Sequence, residues 1–475
     1  MLANDLSPEL AWLAWEPSAA EPWDAARAAH LYRRTCFGAG WSQIEAAVAR
    51  APRDVIAEIL AGGGSGSGAS SDGSAGSAAW ERFESEMASL KASVADSADP
   101  LQAQSLWLYR MLHTPHPLRE KLTLFWHNHF ATSFAKVRDL KLMLRQNDLL
   151  RTYALGRFDE LLWQATIDAA MIVWLDSASN RKGHPNENYA RELMELFSLG
   201  VGNYTEKDIQ EAARALTGWR VTSGRSDFRV NEFDPGEKTV FGQTGVWQAR
   251  DIVRLCTEQP ACARFVVRKL VAEFVGPDFA RDDLVAPLAD QYRADGFSTE
   301  KLVGRIIASR LFFSDAARWS IVKSPVALVV GLVRSLEGRV GPDKLARACD
   351  QLGQSLFRPP SVKGWNGGAE WINSTTLLRR QNMAFEATKG TGDAVRLDPA
   401  RLAETYHLGS NEEIAGFFLR LFYQREDEAV RSTIVNEMNR TARDPAFVLA
   451  PDHRRKAVVR TAAHLAMTLP EFQLS

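Results

Sequence analysis

Apolar residues along most of this chain recur at the three- and four-residue intervals that are typical of amphipathic helices. Leu101, Leu108 and Met111, for example, share one helical face, and Pro115 marks the break before the next helix. The same pattern predicts further helices at residues 249–258, 260–275, 299–313, 323–337, 342–354, 411–423 and 455–468. The chain is therefore predicted to be mainly α-helical, with a large multi-helix body.

The clearest β-type patterning lies at residues 228–241. Two short runs of β-favouring residues flank the turn-forming sequence Asp234-Pro235-Gly236-Glu237. The pattern predicts one short β-hairpin. Lys238, next to the turn, is a weak candidate for substrate binding.

A segment rich in glycine, serine and alanine, residues 61–79, interrupts the helical pattern. Its side chains cannot bury enough area to offset the entropy of ordering them, so it is predicted to be a flexible surface insertion. It separates an N-terminal helical segment, residues 1–60, from the main helical domain, residues 80–475. We expect the first part to pack on the second.

Composition excludes several classes of protein. The chain has 475 residues, and its 57 Lys and Arg nearly balance 58 Asp and Glu, which argues against a basic nucleic-acid coat or a polybasic membrane binder. Four cysteines exclude a disulfide scaffold. No apolar run reaches the roughly 20 residues of a membrane helix, and the N-terminus lacks the features of a signal peptide. We expect no nucleic-acid binding, no membrane insertion and a cytoplasmic protein, unless an unrecognised start site adds an export signal.

The first candidate for chemistry is the histidine motif, His127-Asn128-His129. Two histidines two residues apart diverge by roughly 200° on a continuous helix, so both can bind one metal only if the helix unwinds near Asn128. His129 lies on the apolar face with Leu122 and Phe125. The alternative interpretation is therefore a core histidine at 129 and a surface histidine at 127.

The second candidate is an acidic stripe. Asn188, Glu192 and Glu195 share one helical face, and Arg191 is four residues from both Glu187 and Glu195. If the stripe faces water, its ion pairs contribute only about 0.2–0.5 kcal/mol each. If it faces a cleft, the two carboxylates are candidates for acid and base or for metal ligands, and Arg191 for binding charge.

The third candidate is a loop rich in glycine and tryptophan, residues 364–373, which contains Trp365 and Trp371. Such a loop either presents aromatic faces to a ligand such as a sugar or packs tightly against the core. The sequence contains no Walker A, GxGxxG, GxSxG, HExxH or EF-hand pattern. The common nucleotide-binding, serine-hydrolase and zinc-protease interpretations therefore lose their main support.

These stretches resemble the bacterial family known as domain-of-unknown-function family 1800. The resemblance rests on AAHLYRRTCFGAG, PLREKLTLFWHNHFATSFAKV, PNENYARELMELFSLGVGNYTEKDIQEAARALTGW, DPGEKTVFG and PPSVKGWNGGAEWINS. It extends from about Trp23 to the C-terminal PEFQL and implies no established activity. It implies a partner from domain-of-unknown-function family 1501 and, in many relatives, an export signal. Relatives often carry a histidine where this chain has Phe233.

Two functions remain open from the sequence. The first is a hydrolase or lyase with a His/carboxylate site in a helical cleft. Its candidate catalytic residues are His127, His129, Arg191, Glu192 and Glu195, and its candidate substrate-binding residues are Asn128, Asn188, Lys238, Trp365 and Trp371. A divalent metal held by His129, Glu192 and Glu195 is left open. The second is a non-catalytic binding or assembly protein, in which the same motifs form buried structural networks.

Overall fold

Helices make up most of the structure. The computed structural model describes residues 7–62, 74–97, 99–389, 395–425, 427–444 and 451–475. The strands within these ranges form three two-stranded antiparallel sheets. The prediction of a mainly α-helical protein is confirmed.

The elements follow one another along the chain with short connections. The helices of the first half are α1 (Pro8–Ala11), α2 (Ala25–Cys36), α3 (Trp41–Val48), α4 (Pro52–Ala61), α5 (Ser74–Ser97), α6 (Pro100–His113), α7 (Pro117–His129), α8 (Phe134–Val137), α9 (Leu140–Thr152), α10 (Phe158–Thr166), α11 (Ala169–Trp174), α12 (Asn188–Glu192) and α13 (Glu206–Ala215). The helices of the second half are α14 (Ala249–Glu258), α15 (Pro260–Phe274), α16 (Asp282–Ala294), α17 (Thr299–Ile307), α18 (Pro325–Ser335), α19 (Pro342–Gln351), α20 (Ser374–Lys389), α21 (Pro399–Thr405), α22 (Asn411–Phe418), α23 (Glu428–Ala442) and α24 (Pro451–Thr468). The strands are β1 (Trp219–Thr222), β2 (Arg225–Phe228), β3 (Lys238–Val240), β4 (Gln243–Gly245), β5 (Arg339–Val340) and β6 (Val395–Arg396).

Local sequence signals set several helix ends. The Asp24 carboxylate accepts the backbone N–H of Arg27 at the start of α2. Thr205 and Asp208 form the reciprocal capping box that starts α13. Gly200, at φ +80°, ends the helix that carries the acidic stripe. These ends depend on neighbouring residues only, which is why the sequence pattern locates them.

The predicted insertion, residues 61–79, is only partly described. Helix α4 ends at Ala61, residues 63–73 lie outside the described residues, and α5 already begins at Ser74. Alanine-rich sequence in residues 74–79 favours helix. Helix α5 packs against α6 and α9. The boundary at residue 80 stays a prediction.

The structure differs from the prediction of a single hairpin at residues 228–241. Strand β1 pairs with β2, and β3 pairs with β4, so the predicted turn connects two hairpins. The difference is caused by tertiary contacts of the turn. Asp234 in that turn accepts a hydrogen bond from Arg214 Nε at 2.8 Å and donates its backbone N–H to Thr217 Oγ1 at 2.8 Å. These contacts hold the turn against the end of α13, so the flanking strands find other partners.

Helix α7 lies in the centre of the body. It packs against α2, α6 and α9, and its Leu122 and Trp126 side chains are fully buried. The chain of α12 continues as a wider π-helical segment, Leu193–Ser198, of the kind often found near functional sites. None of the described helices has both the length and the apolar character needed to cross a membrane.

Candidate functional site

A cleft of about 690 Å³ lies beside the C-terminal half of α7. Its walls come mainly from α2, α7, α15 and α18 and from the loop at residues 363–371. Among the sequence-predicted site residues, Asn128, His129, Trp365 and Trp371 line this cleft. The structure therefore brings together the histidine motif and the tryptophan loop, which are far apart in the sequence.

His129 is held by two hydrogen bonds. Its Nε2 lies 3.0 Å from the Phe197 carbonyl, which makes Nε2–H the donor and leaves Nδ1 as an acceptor. Lys269 Nζ donates to that Nδ1 at 3.0 Å and to the Leu196 carbonyl at 3.5 Å. Burial, followed by the charge of Lys269, holds the pKa of His129 well below its ordinary value. His129 is therefore a neutral acceptor for the Lys269 amine.

Lys269 is a largely buried lysine at the cleft wall. Its side chain extends from α15, lies over the Phe265 ring at 4.7 Å, and forms no ion pair within the described residues. Burial lowers the pKa of Lys269 to about 8. A lysine in this state is neutral in a substantial fraction of molecules near physiological pH, which is the requirement for a base or a nucleophile.

Asn128 holds the tryptophan loop in place. Its Oδ1 accepts the backbone N–H of Trp365 at 2.7 Å, and its Nδ2 donates to the Trp365 carbonyl at 3.3 Å. Gly364 has φ +78°, and a Cβ atom there would lie 2.2 Å from Asn128 Oδ1. Glycine at 364 therefore allows the loop to approach α7, and the amide of Asn128 is already occupied by the protein.

The charge on the cleft walls is mainly positive. Among the described residues, the cationic side chains that line it are Arg33, Lys121, Lys269, Lys323 and Lys363. The acidic side chain that lines it, Glu273, is paired with Lys121 at 2.8 Å. This excess of positive charge favours an anionic ligand.

His127 points away from the cleft and is buried, which corrects the expectation of a surface histidine. Its Nε2 accepts the backbone N–H of Phe357 at 3.2 Å, and its ring lies 5.1 Å from that of Trp107. Burial lowers the pKa of His127 to about 3. Because α7 remains helical to His129, the two imidazoles face different surroundings.

A buried ion network lies on the same side of α7 as His127. The fully buried Glu120 carboxylate accepts hydrogen bonds from Arg151 Nε at 2.6 Å and from Trp107 Nε1 at 2.8 Å, and Arg110 Nε lies 3.4 Å away. Burial raises the pKa of Glu120, but Arg151 and Arg110 outweigh it and the pKa lies below its ordinary value. Each of these three charges has a partner of opposite sign.

The two predicted acids, Glu192 and Glu195, do not line the cleft. Glu195 accepts a hydrogen bond from the Tyr204 hydroxyl at 2.9 Å. Burial raises the pKa of Glu192, with a further contribution from Glu195, while Lys363 opposes the shift. Glu192 is therefore close enough to Lys363, a residue of the cleft wall, to interact with it electrostatically, although neither carboxylate lines the cleft.

The other polar residues of the acidic stripe are engaged outside the cleft. Arg191 pairs with Glu187 at 3.2 Å and with Glu206 at 2.7 Å. Asn188 is exposed, and its backbone N–H donates to Asn186 Oδ1. These contacts are those of a surface ion-pair group.

Lys238 is not at a hairpin tip. It is buried, donates to the carbonyls of Asp234 at 2.5 Å and Gly236 at 2.8 Å, and lies over the Phe233 ring at 4.8 Å. The Phe233 side chain packs against this lysine. Lys238 therefore stabilises the turn beside α13.

Within the described ranges, no group of three or more His, Cys, Asp or Glu side chains is arranged to hold a metal ion. His129, Glu192 and Glu195 are accordingly not assembled as a ligand set. The nitrogens of His129 contact the Phe197 carbonyl and Lys269, as described above.

Sequence reasoning did not identify Lys269, Glu120 or the cationic cleft. A signal was present, because Lys269 follows the apolar residues Cys262 and Val266 on one face of α15. A charged residue on a buried helical face has to find a partner or a cleft. Glu120 gave no comparable signal, since its partners come from α6 and α9.

Comparison with known proteins supports the resemblance. The chain matches the family described as Protein of unknown function (DUF1800) over residues 30–474. Searches of curated proteins and of solved structures gave no match. The matched range is nearly the whole chain, and it includes the histidine motif, the acidic stripe and the tryptophan loop. The protein therefore belongs to the DUF1800 family.

Proposed function

We propose that the cleft is the active site of an enzyme that acts on an anionic substrate, and that the reaction is that of a lyase. Of the two reaction classes considered from the sequence, a hydrolase with paired carboxylates requires acids in the cleft, and neither Glu192 nor Glu195 lines it. The observation that carries the proposal is the Lys269 amine, which lies at the cleft wall with His129 Nδ1 as its acceptor.

The proposed step is removal of a proton from a carbon next to a carboxylate. The lone pair of neutral Lys269 takes the proton, and the electrons of the C–H bond form a double bond to the neighbouring carbon. The bond from that carbon to its oxygen substituent breaks, and the leaving oxygen takes a proton from water. Cationic side chains such as Lys121 and Lys363 stabilise the charge that develops on the substrate carboxylate.

The substrate class we propose is an acidic sugar or a glycan that contains one. The cleft combines an excess of cations with the tryptophans Trp365 and Trp371, whose faces suit the apolar face of a sugar ring. Neutral sugars leave the cations without a role. Aromatic acids use the tryptophans equally well and are the natural comparison.

The test is a screen of glycans rich in carboxylated sugars, followed by ultraviolet absorbance, since elimination creates a double bond conjugated to the carboxylate. Activity that is lost in Lys269→Met but kept in Lys344→Met, an exposed lysine outside the cleft, supports the proposal. A new reducing end without ultraviolet absorbance identifies a hydrolase instead. Activity that Lys269→Met retains overturns the assignment of the base.

Metal dependence is tested separately. Elemental analysis of the purified protein, with His129→Ala and Glu192→Ala variants, decides whether a divalent ion is bound by the set predicted from the sequence. Stoichiometric metal that both variants lose supports that set.

A second candidate is a non-catalytic binding or assembly protein. It is favoured by Asn128, whose amide oxygen and nitrogen both bond the tryptophan loop, and by the paired charges around Glu120. Here the partner is the protein of domain-of-unknown-function family 1501 that the resemblance implies. A stable complex of the two purified proteins in size-exclusion chromatography, together with an inactive cleft in the glycan screen, supports this function.

A further inference from the structure

A second set of cations at the cleft forms no ion pair within the described residues. Arg33, from α2, and Lys323, just before α18, both line the cleft. Neither forms an ion pair with any described carboxylate, nor do the adjacent buried Arg34 and Arg380. This differs from the Glu120 network, in which every charge is paired.

Several donors in this cluster lack acceptors. The atoms Arg33 Nη2, Arg34 Nε, Arg34 Nη1 and Arg380 Nε are buried and have no hydrogen-bond partner. The acceptors present are neutral. Arg34 Nη2 donates to Ser320 Oγ at 2.9 Å, and Lys323 Nζ donates to the Phe472 carbonyl at 2.6 Å. Neutral oxygens compensate buried cations only in part.

The groups also repel one another. Burial and then the neighbouring cations Arg318 and Arg34 lower the pKa of Arg33 to about 9. Burial, followed by Arg33 and Arg380, holds the pKa of Lys323 well below its ordinary value. Among these groups, Arg318 has an acidic partner, Asp315 at 3.3 Å, and Glu273 in the cleft is paired with Lys121.

We propose that Arg33, Ser320 and Lys323, which all line the cleft, form an oxyanion-binding subsite distinct from the Lys269–His129 pair. Guanidinium groups bind phosphate, sulfate and carboxylate oxygens through paired N–H donors. An anion bound beside Arg33 and Lys323 favours the protonated form of the lysine, so the occupied site supplies two positive charges. Two charges favour a doubly charged oxyanion such as a phosphate or sulfate group over a carboxylate. The inference rests on the proposed function in one respect, which is that both sites belong to the same cleft. It adds that the substrate carries a second anionic group besides the carboxylate.

The experiment measures binding of inorganic phosphate to the full chain by isothermal titration calorimetry at constant ionic strength. Sulfate and acetate are titrated in parallel. We expect saturable binding of phosphate and sulfate, with weaker binding of acetate. In Arg33→Met the affinity falls by about tenfold or more, since a charged hydrogen bond to the anion is lost. The control is Arg347→Met, an exposed arginine, which keeps the wild-type affinity.

The outcomes separate this inference from the proposed reaction. Binding that Arg33→Met lacks and Lys269→Met keeps supports the subsite, whether or not any glycan is turned over. Equal affinity for acetate and phosphate identifies a carboxylate subsite and overturns the doubly charged ligand. Affinity that is unchanged in Arg33→Met, or absent in the wild type, overturns the subsite. If Arg33→Met does not fold, Lys323→Met and Arg33→Lys give the same comparison, with Arg33→Lys expected to bind at intermediate strength.

Discussion

The buried charges on the two sides of α7 differ in whether they have a partner of opposite sign. On the side of His127, Glu120 lies between Arg151 and Arg110, and each ion has a partner within hydrogen-bond or ion-pair distance. On the side of His129, Lys269 has a neutral imidazole as its acceptor. Paired ions with their donors satisfied are typical of a structural network, whereas unpaired cations at a cleft wall are typical of a site that receives an anion.

The comparison also separates the two histidines of one motif. His127 completes a dry contact with Phe357, and His129 faces the cleft through Lys269. Asn128 between them connects the helix to the tryptophan loop. One short motif therefore contributes both to packing and to the candidate site.

The strongest test of the paired side is Glu120→Ala. It leaves Arg110 and Arg151 buried without their shared carboxylate, so we expect the free energy of unfolding to fall by about 3–5 kcal/mol. Chemical denaturation measures it. The exposed Glu45→Ala serves as the control and should change stability by at most about 0.5 kcal/mol. A loss below about 1 kcal/mol for Glu120→Ala would show that the network is not the structural element inferred here.

A smaller effect is expected at the junction of the two sides. Gly364→Ala places a Cβ within 2.2 Å of Asn128 Oδ1 at a left-handed backbone position. We expect the free energy of unfolding to fall by about 1–3 kcal/mol and the tryptophan fluorescence to shift, because the loop that carries Trp365 has to move. Gly183→Ala, also at a positive φ but with open space around it, is the matched control for backbone strain alone. Equal losses in the two variants would argue against the contact with Asn128.

On the side of α7 that faces the cleft, the test is how the free energy of unfolding changes with pH at Lys269. In the unfolded chain, lysine keeps its proton to higher pH than the pKa of about 8 of folded Lys269. Between these values the unfolded state binds more protons, so the free energy of unfolding rises with pH above about 8. We expect Lys269→Met to lack this part of the rise and to be more stable than the wild type below about pH 8, where the folded wild-type chain holds a desolvated charge. Lys344→Met should retain the wild-type profile; a wild-type profile in Lys269→Met would mean that Lys269 is not desolvated.

The smallest effect is expected outside both regions, at Glu192. Burial and Glu195 raise the pKa of Glu192, so its contribution to stability is greatest at acid pH and is lost as the pH rises through the folded pKa. Glu192→Gln is therefore expected to stabilise the protein at neutral pH by a few tenths of a kcal/mol, since water still reaches the carboxyl. Chemical denaturation at pH 4 and at pH 7 compares the stability of the wild type with that of Glu192→Gln. Destabilisation at pH 7 would indicate that the charged carboxylate has a favourable partner.

How far the sequence predicts the site depends on the range of the interaction. The capping box at Thr205 and the helix that begins at Pro260 follow from neighbouring residues, and both are present as predicted. The burial of His127 does not follow, because Trp107 and Phe357 cover the polar face of α7 from remote positions. The prediction of a single hairpin is wrong for the same reason, since Arg214 on α13 binds Asp234 in the predicted turn.

The candidate site shows the same division. The sequence singled out Asn128, His129 and the two tryptophans because polar and aromatic residues are concentrated in short motifs, and all four line the cleft. Their role in function stays a prediction. From helical spacing, the sequence placed Glu192 and Glu195 on one stripe and left open whether that stripe faces water or a cleft. That spacing gives the stripe but not its direction, and the carboxylates do not line the cleft.

By itself, the sequence determined the helical class of this protein, several helix ends and the motifs that carry its polar chemistry, since these depend on periodicity and on contacts within a few residues. Only the tertiary structure decided which charges are paired. Glu120 meets Arg151 and Arg110 from two other helices, while Lys269 meets His129 across 140 positions of the chain. Whether a buried charge is neutralised depends on its distance in space from an opposite charge, and the packing of whole helices sets that distance.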